Sequence, residues 1–259
     1  MEKLISKDGT TIAYDRSGEG PPVILVGGAL NDRSATASLA EALAPHFTAF
    51  SYDRRRRGDS GDTPPYAVER EIEDLGALIE QAGGTAHVFA NCSGAILALE
   101  AAAAGLPITK LALYEPSFIV DDTRPPISED YVPKLTEMID SGRLGDAVEL
   151  FMLEAAALPT EFVAKVRQGS MWPALEALAP SLIYDATVLG DGSIPTERVS
   201  SITAPTLVID GEASPDWGRN TVQAVVDALP NAQRRSLPDH NHNLVGEAVA
   251  PLVKEFLAD

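Results

Sequence analysis

Apolar positions come in short runs separated by longer stretches of helical period. Thr11–Tyr14 alternates weakly and reads as an early strand. Pro22–Val26 (PVILV) is a β-branched run that ends at Gly27-Gly28, the pattern of a strand buried on both faces. Ser34–Leu43 reads as a helix and Phe47–Tyr52 as a second central strand, ending at Asp53. In Val68–Ala82 the apolar residues Val68, Ile72, Leu75, Leu78 and Ile79 form one helical stripe. Ala86–Ala90 is a third short strand. Ser93–Ala104 is an Ala/Leu-rich helix stopped by Gly105 and Pro107, and Leu111–Tyr114 is a fourth strand. Strands alternating with helices at this spacing predict a parallel sheet covered on both faces.

The pattern changes after Ile119. Pro125, Pro126 and Pro133 mark a link. Helical stretches follow at Tyr131–Ser141, Leu144–Ala156, Glu161–Gln168 and Trp172–Leu189, with no convincing strand among them. Strand signals return at Pro205–Asp210 and Ala232–Leu237, around a helix at Asp216–Leu229, and Glu247–Ala258 closes the chain. The expected organisation is an α/β core of residues 1–119 and 196–259, interrupted by a helical cap at 120–195.

Composition narrows the partners. The 259 residues include 20 Lys+Arg and 38 Asp+Glu, a net charge of −18. A basic face for nucleic acid is excluded, and anionic membrane surfaces are disfavoured for the same reason. No apolar run approaches the roughly 18 residues of a membrane span. Met1–Thr10 lacks a signal-peptide core, and one cysteine forms no internal disulfide, so the expectation is a cytoplasmic protein.

The most informative segment is Val88-Phe89-Ala90-Asn91-Cys92-Ser93-Gly94-Ala95, between a strand and a helix. A sharp strand-to-helix turn strains its central residue and needs small neighbours two before and two after, here Ala90 and Gly94. The central side chain then projects from the carboxyl end of the sheet at a helix N-terminus, where an anion is favoured. The segment resembles the nucleophile elbow of the α/β-hydrolase superfamily, Gly-x-Ser-x-Gly, with Ala at the first Gly and Cys at the Ser. Gly27-Gly28-Ala29 stands where that superfamily keeps its oxyanion loop. Asp53–Ser60 is similar to its Asp-x-Arg-Gly-x-Gly-x-Ser stretch, and Pro205–Gly211 to its penultimate strand. The resemblance implies an α/β-hydrolase fold with an inserted helical cap in the place of a lid.

It also implies roles. Cys92 would be the nucleophile and His242, in the loop after the last strand, its base, favoured over His240. The amides of Ala29 and Ser93 would form the oxyanion hole. The superfamily's usual acid position holds Ser214. Some members move the acid to the strand after the elbow helix, which makes Glu115 the leading acid and Asp216 the alternative, with Asp210 behind them. Three plainer readings stand beside these: Cys92 as a small buried hydrophobe, Ser93 as the nucleophile, and His240 as a loop residue. Arg54–Arg57 reads as a loop paired to Asp53, Asp59 and Asp62, or else as a site for an anionic substrate group. Phe151, Met152 and Trp172 are candidate substrate-pocket residues, with helix packing as the alternative. No metal or cofactor is expected.

The expected activity is hydrolysis or acyl transfer on a small-molecule ester, thioester or lactone through a cysteine acyl-enzyme. Two other classes remain: a cofactor-independent lyase or oxygenase-like enzyme that uses the His, and a non-catalytic ligand-binding member of the fold. The sequence gives no oligomeric state.

Overall fold

The computed structural model describes residues 1–258. Eight strands form one sheet: β1 (Glu2–Ile5), β2 (Thr11–Ser17), β3 (Pro22–Val26), β4 (Thr48–Tyr52), β5 (Ala86–Asn91), β6 (Ile108–Tyr114), β7 (Thr206–Gly211) and β8 (Ala232–Leu237). Their spatial order is β1-β2-β4-β3-β5-β6-β7-β8. β2 runs antiparallel to both neighbours, and from β4 to β8 every pairing is parallel. β3 is apolar throughout because both its faces are covered, as the PVILV run predicts.

Helices α1 (Ala37–Leu43) and α11 (Gly246–Ala258) cover one face, packing Leu39, Leu43, Val249 and Val253 against Val23, Leu25 and Phe89. Helices α2 (Val68–Gln81), α3 (Ser93–Ala103) and α10 (Asp216–Ala228) cover the other, through Leu75, Leu78, Ile96, Leu97, Val222 and Val225. Each buried leucine or isoleucine contributes about 1.5–3 kcal/mol of transfer free energy, so these two layers hold the sheet.

Residues 115–195 contain no strand. They carry α4 (Tyr131–Asp140), α5 (Leu144–Leu150), a π-helical turn at Phe151–Ala155, α6 (Thr160–Arg167), α7 (Trp172–Leu178) and α8 (Leu182–Leu189). These helices share their own core of Leu135, Val148, Val163, Trp172 and Leu182, which also reaches Leu30 above the sheet. The single helix expected over Trp172–Leu189 is two helices, because Pro180 lacks an amide hydrogen and a 3-10 turn forms at Ala179–Ser181. Two elements escaped the sequence pattern. β1 is exposed and has no apolar alternation, and α9 (Thr196–Val199) is a single turn. No helix among the described residues is long and apolar enough to cross a membrane.

Because β3 and β5–β8 are parallel, their carboxyl ends lie along one edge. The segments after Val26, Asn91, Tyr114, Gly211 and Leu237 therefore converge there. In open parallel sheets this edge is where ligands bind.

Candidate active site

Cys92 sits between β5 and α3 at φ 54°, ψ −127°, outside the ordinary region for a residue with a side chain. Such a conformation costs on the order of 1–3 kcal/mol and persists only if its surroundings impose it. Here they do. The Cys92 amide donates to the Tyr114 carbonyl at 3.1 Å, and the Ala95 amide donates back to the Cys92 carbonyl at 3.0 Å. A Cβ on Gly94 would lie 2.6 Å from the carbonyl oxygens of Val26 and Gly27, so only glycine lets α3 start this close to β3. A Cβ on Gly28 would lie 2.7 Å from the Cys92 Cβ. The elbow and the Gly27-Gly28-Ala29 loop are thus in contact.

His242 follows β8, and its Nδ1 lies 2.8 Å from Glu115 Oε2. Glu115 is the first residue after β6, at φ 45°, and only 3% of it is exposed. Its other oxygen, Oε1, accepts from the Gly211 amide at 2.9 Å and from the Ser214 hydroxyl. Ser214, at the position where the sequence resemblance expects an acid, thus holds the Glu115 carboxylate at the end of β6. The Tyr114 hydroxyl donates to the Asn241 carbonyl and ties the His loop to the same strand end.

Cys92 and His242 stand close enough for each to shift the other's titration. Burial alone would push the thiol up. The charge of His242, the hydrogen bond with it, and contacts from Ser117 and the Ser93 amide bring it below the usual thiol range. Burial alone would pull His242 down, but the charge of Cys92 and hydrogen bonds to Cys92 and Glu115 hold it above the usual imidazole range. Both shifts favour a thiolate–imidazolium pair. The His242 side chain keeps 43% of its surface exposed, so water reaches it.

The Gly27-Gly28-Ala29 loop is braced by its neighbours. The Gly28 amide donates to Asn31 Oδ1 at 3.2 Å, and the Gly28 carbonyl accepts from Arg57. No hydrogen bond engages the Ala29 amide among the described residues. The Ser93 amide lies at the first turn of α3, beside the thiol. The Ser93 hydroxyl is committed elsewhere, donating to Asp185 at 2.7 Å, so it does not stand as a nucleophile.

Other sequence expectations need correction. Asp216 is exposed at the start of α10 and pairs with Arg219 three residues on; it does not meet His242. Asp210 is buried against Arg234 and Ser236. His240 Nδ1 meets the Pro238 carbonyl, so the two loop histidines point to different partners. Phe151, Met152 and Trp172 lie in the interior of the cap. The Trp172 indole donates to Glu176 at 2.8 Å, and helix packing accounts for all three. Of the arginine run, Arg54 binds Glu71 and Asp185, Arg55 binds Asp74 and Asp8, and Arg57 binds Asp185. Only Arg56 faces one of the nearby carboxylates expected for it, Asp62, at 3.9 Å. Asp53 instead pairs with Arg33. The run is a charge-balanced layer beneath the site. Clefts of about 440 and 420 Å³ open beside Arg56 and Arg33, and neither is lined by Cys92 or His242.

Sequence reasoning missed Ser117, whose hydroxyl lies 3.7 Å from the Cys92 sulfur, and Arg124, which is buried between the core and the cap. Ser117 lies two residues past Glu115, a position that the strand end could have suggested. Nothing in the local pattern marks Arg124.

Known proteins share this fold. An alpha/beta hydrolase from Sphaerobacter thermophilus DSM 20745 is 55% identical, with a TM-score of 0.96 over 99% of this chain and 100% of that one. The enol-lactonase from Burkholderia xenovorans LB400 shares the fold at 23% identity and a TM-score of 0.73, each chain covered in full. YraK, an uncharacterized hydrolase of Bacillus subtilis (strain 168), is 32% identical over 96 residues, which is 36% of this chain and 35% of that protein. That match thus spans about a third of the relative's length. The pattern of the alpha/beta hydrolase family matches residues 23–255, and the chain belongs to that family.

Proposed function

We propose that this protein is an acyl-group hydrolase acting through Cys92 on a small-molecule thioester, lactone or activated ester. The observation that carries this reading is the strained Cys92 turn, with Glu115 behind the His242 imidazole and the imidazole's charge acting on the thiol.

The Cys92 thiolate attacks the acyl carbonyl carbon. The developing oxyanion is met by the amides of Ala29 and Ser93, each worth about 3 kcal/mol in such a hole. As the tetrahedral adduct collapses, the bond to the leaving oxygen or sulfur breaks and the His242 imidazolium gives that atom its proton. An acyl-thioester on Cys92 remains. The neutral imidazole then takes a proton from water, whose oxygen attacks the thioester carbonyl. The acid leaves and the thiolate–imidazolium pair returns. Glu115 fixes the ring and stabilises its charge. An amine or alcohol in place of water completes acyl transfer. A thiolate is a better leaving group than an unactivated alkoxide, so such esters would revert from the adduct; thioesters, activated esters, and lactones that open to an enolate or relieve ring strain go forward.

The test is steady-state turnover of an acyl thioester by wild type, Cys92→Ala and His242→Ala. Each variant is expected to lose at least ~10³-fold in kcat. Wild-type turnover by Cys92→Ala would overturn the reading. Loss in His242→Ala alone would point to lyase chemistry by the imidazole.

A further inference from the structure

The buried arginines of this acidic chain are paired with carboxylates, with one exception. Arg54, Arg55 and Arg57 each meet one or two. Arg124 is 6% exposed, and no carboxylate of the described residues forms an ion pair with it. Its Nη2 donates to the Ala155 carbonyl, and its Nη1 is buried with no hydrogen-bond partner among the described residues. The guanidinium carbon stands 5.4 Å from the centre of the Trp217 ring. Burial draws its pKa down, yet an arginine stays protonated, so this is a buried cation with no carboxylate paired to it among the described residues.

The neighbours of Arg124 come from the cap and from the sheet end that carries Glu115. Trp217 lies in the first turn of α10. Its neighbour Gly218 approaches Glu115 closely enough that a Cβ there would lie 4.0 Å from Oε2. Ala155 ends the π-helical turn of the cap. Arg124 therefore bridges core and cap, near enough to Cys92 and Tyr131 for their charges to oppose the fall in its pKa. An unpaired buried cation is costly, and an anion brought against it relieves that cost.

We propose that Arg124 binds a carboxylate on the substrate, so that the acyl compound presented to Cys92 carries a negative charge as well as its reactive carbonyl. This rests on the reading of Cys92 as nucleophile and narrows it to a substrate class. A planar, two-donor guanidinium fits a carboxylate in two-point geometry, which a point charge does not.

The test uses the single thiol. Iodoacetate and iodoacetamide alkylate by the same displacement of iodide and differ in one carboxylate. Their rate constants on Cys92 are measured by intact mass at physiological ionic strength, with glutathione as the free-thiol reference. The His242 charge also draws an anion, so the decisive quantity is the iodoacetate-to-iodoacetamide ratio in wild type against Arg124→Gln. The expected fall is about tenfold, the size of one charge-assisted hydrogen bond, with Arg124→Lys between the two. Glutarate is expected to slow wild-type alkylation saturably and diethyl glutarate not. An unchanged ratio in Arg124→Gln, or equal protection by the two glutarates, would overturn the proposal. If Arg124→Gln does not fold by circular dichroism, the glutarate comparison on wild type decides alone. Alkylation by both reagents no faster than that of glutathione would overturn the nucleophile reading instead, while the ratio would still report on the anion site.

Discussion

At the residue scale, the proposed site depends on the Glu115 carboxylate at the end of β6. Glu115 holds His242 on one oxygen and the Gly211 amide and Ser214 hydroxyl on the other. A neutral amide at this position keeps the size but loses the charge that favours imidazolium. Glu115→Gln is therefore expected to cut the rate of Cys92 acylation by about 10²-fold, less than the ~10⁴-fold seen when a serine triad loses its acid charge. The loss is smaller because the thiolate itself supports the imidazolium. Stopped-flow acylation of the two proteins at neutral pH checks this. Equal rates would mean that Glu115 serves structure alone.

At the scale of elements, the turn from β5 into α3 is set by close approach. The Gly94→Ala methyl would meet two backbone carbonyls at 2.6 Å, and neither can give way without moving β3. A cost of about 1–3 kcal/mol is expected, with α3 displaced and the Cys92 alkylation rate lowered. Urea denaturation and the alkylation rate of the variant measure the two effects. The elbow was legible in the sequence because its constraints act over five consecutive residues, and Glu115 and His242 were legible because the α/β-hydrolase resemblance points to the strand ends that they follow. What was not legible depends on contacts between distant parts of the chain. Ser214 meets Glu115 across 99 residues, and Ser93 meets Asp185 across 92. Arg54, Arg55 and Arg57 bypass the carboxylates beside them in sequence because their own loop turns them inward, toward α2 and α8. Trp172 and Met152 carry the same apolar signal whether they line a pocket or pack a helix, so the pattern could not choose.

At the scale of the whole molecule, the cap is fastened to the core by charge. Asp185 of α8 is 5% exposed and accepts from Arg54, Arg57 and Ser93. Burial raises its pKa, but the two arginines and the serine lower it further, and the net direction is down. A carboxyl held below its unfolded value stabilises the fold at pH above the unfolded pKa, and loses that contribution as pH falls through the folded one. The fastening is therefore complete at neutral pH and fails only in acid. Asp185→Asn removes the only carboxylate paired, among the described residues, with buried Arg57 and one of the two paired with Arg54, at a cost of about 3 kcal/mol. For a chain of this size that is a fall in Tm of roughly 6–12 °C, read by calorimetry. An unchanged Tm would show that apolar packing alone holds the cap.

The central claim, that Cys92 is an activated nucleophile, is tested most directly by following its modification across pH. Intact mass is recorded during reaction with p-nitrophenyl acetate and, separately, iodoacetamide, and the modified residue is mapped. The expected result is an acetyl adduct on Cys92 that forms and then decays. Alkylation is expected to rise at a pH well below the free-thiol value of about 8.5. No adduct, together with alkylation that rises only at the free-thiol pKa, would contradict the claim.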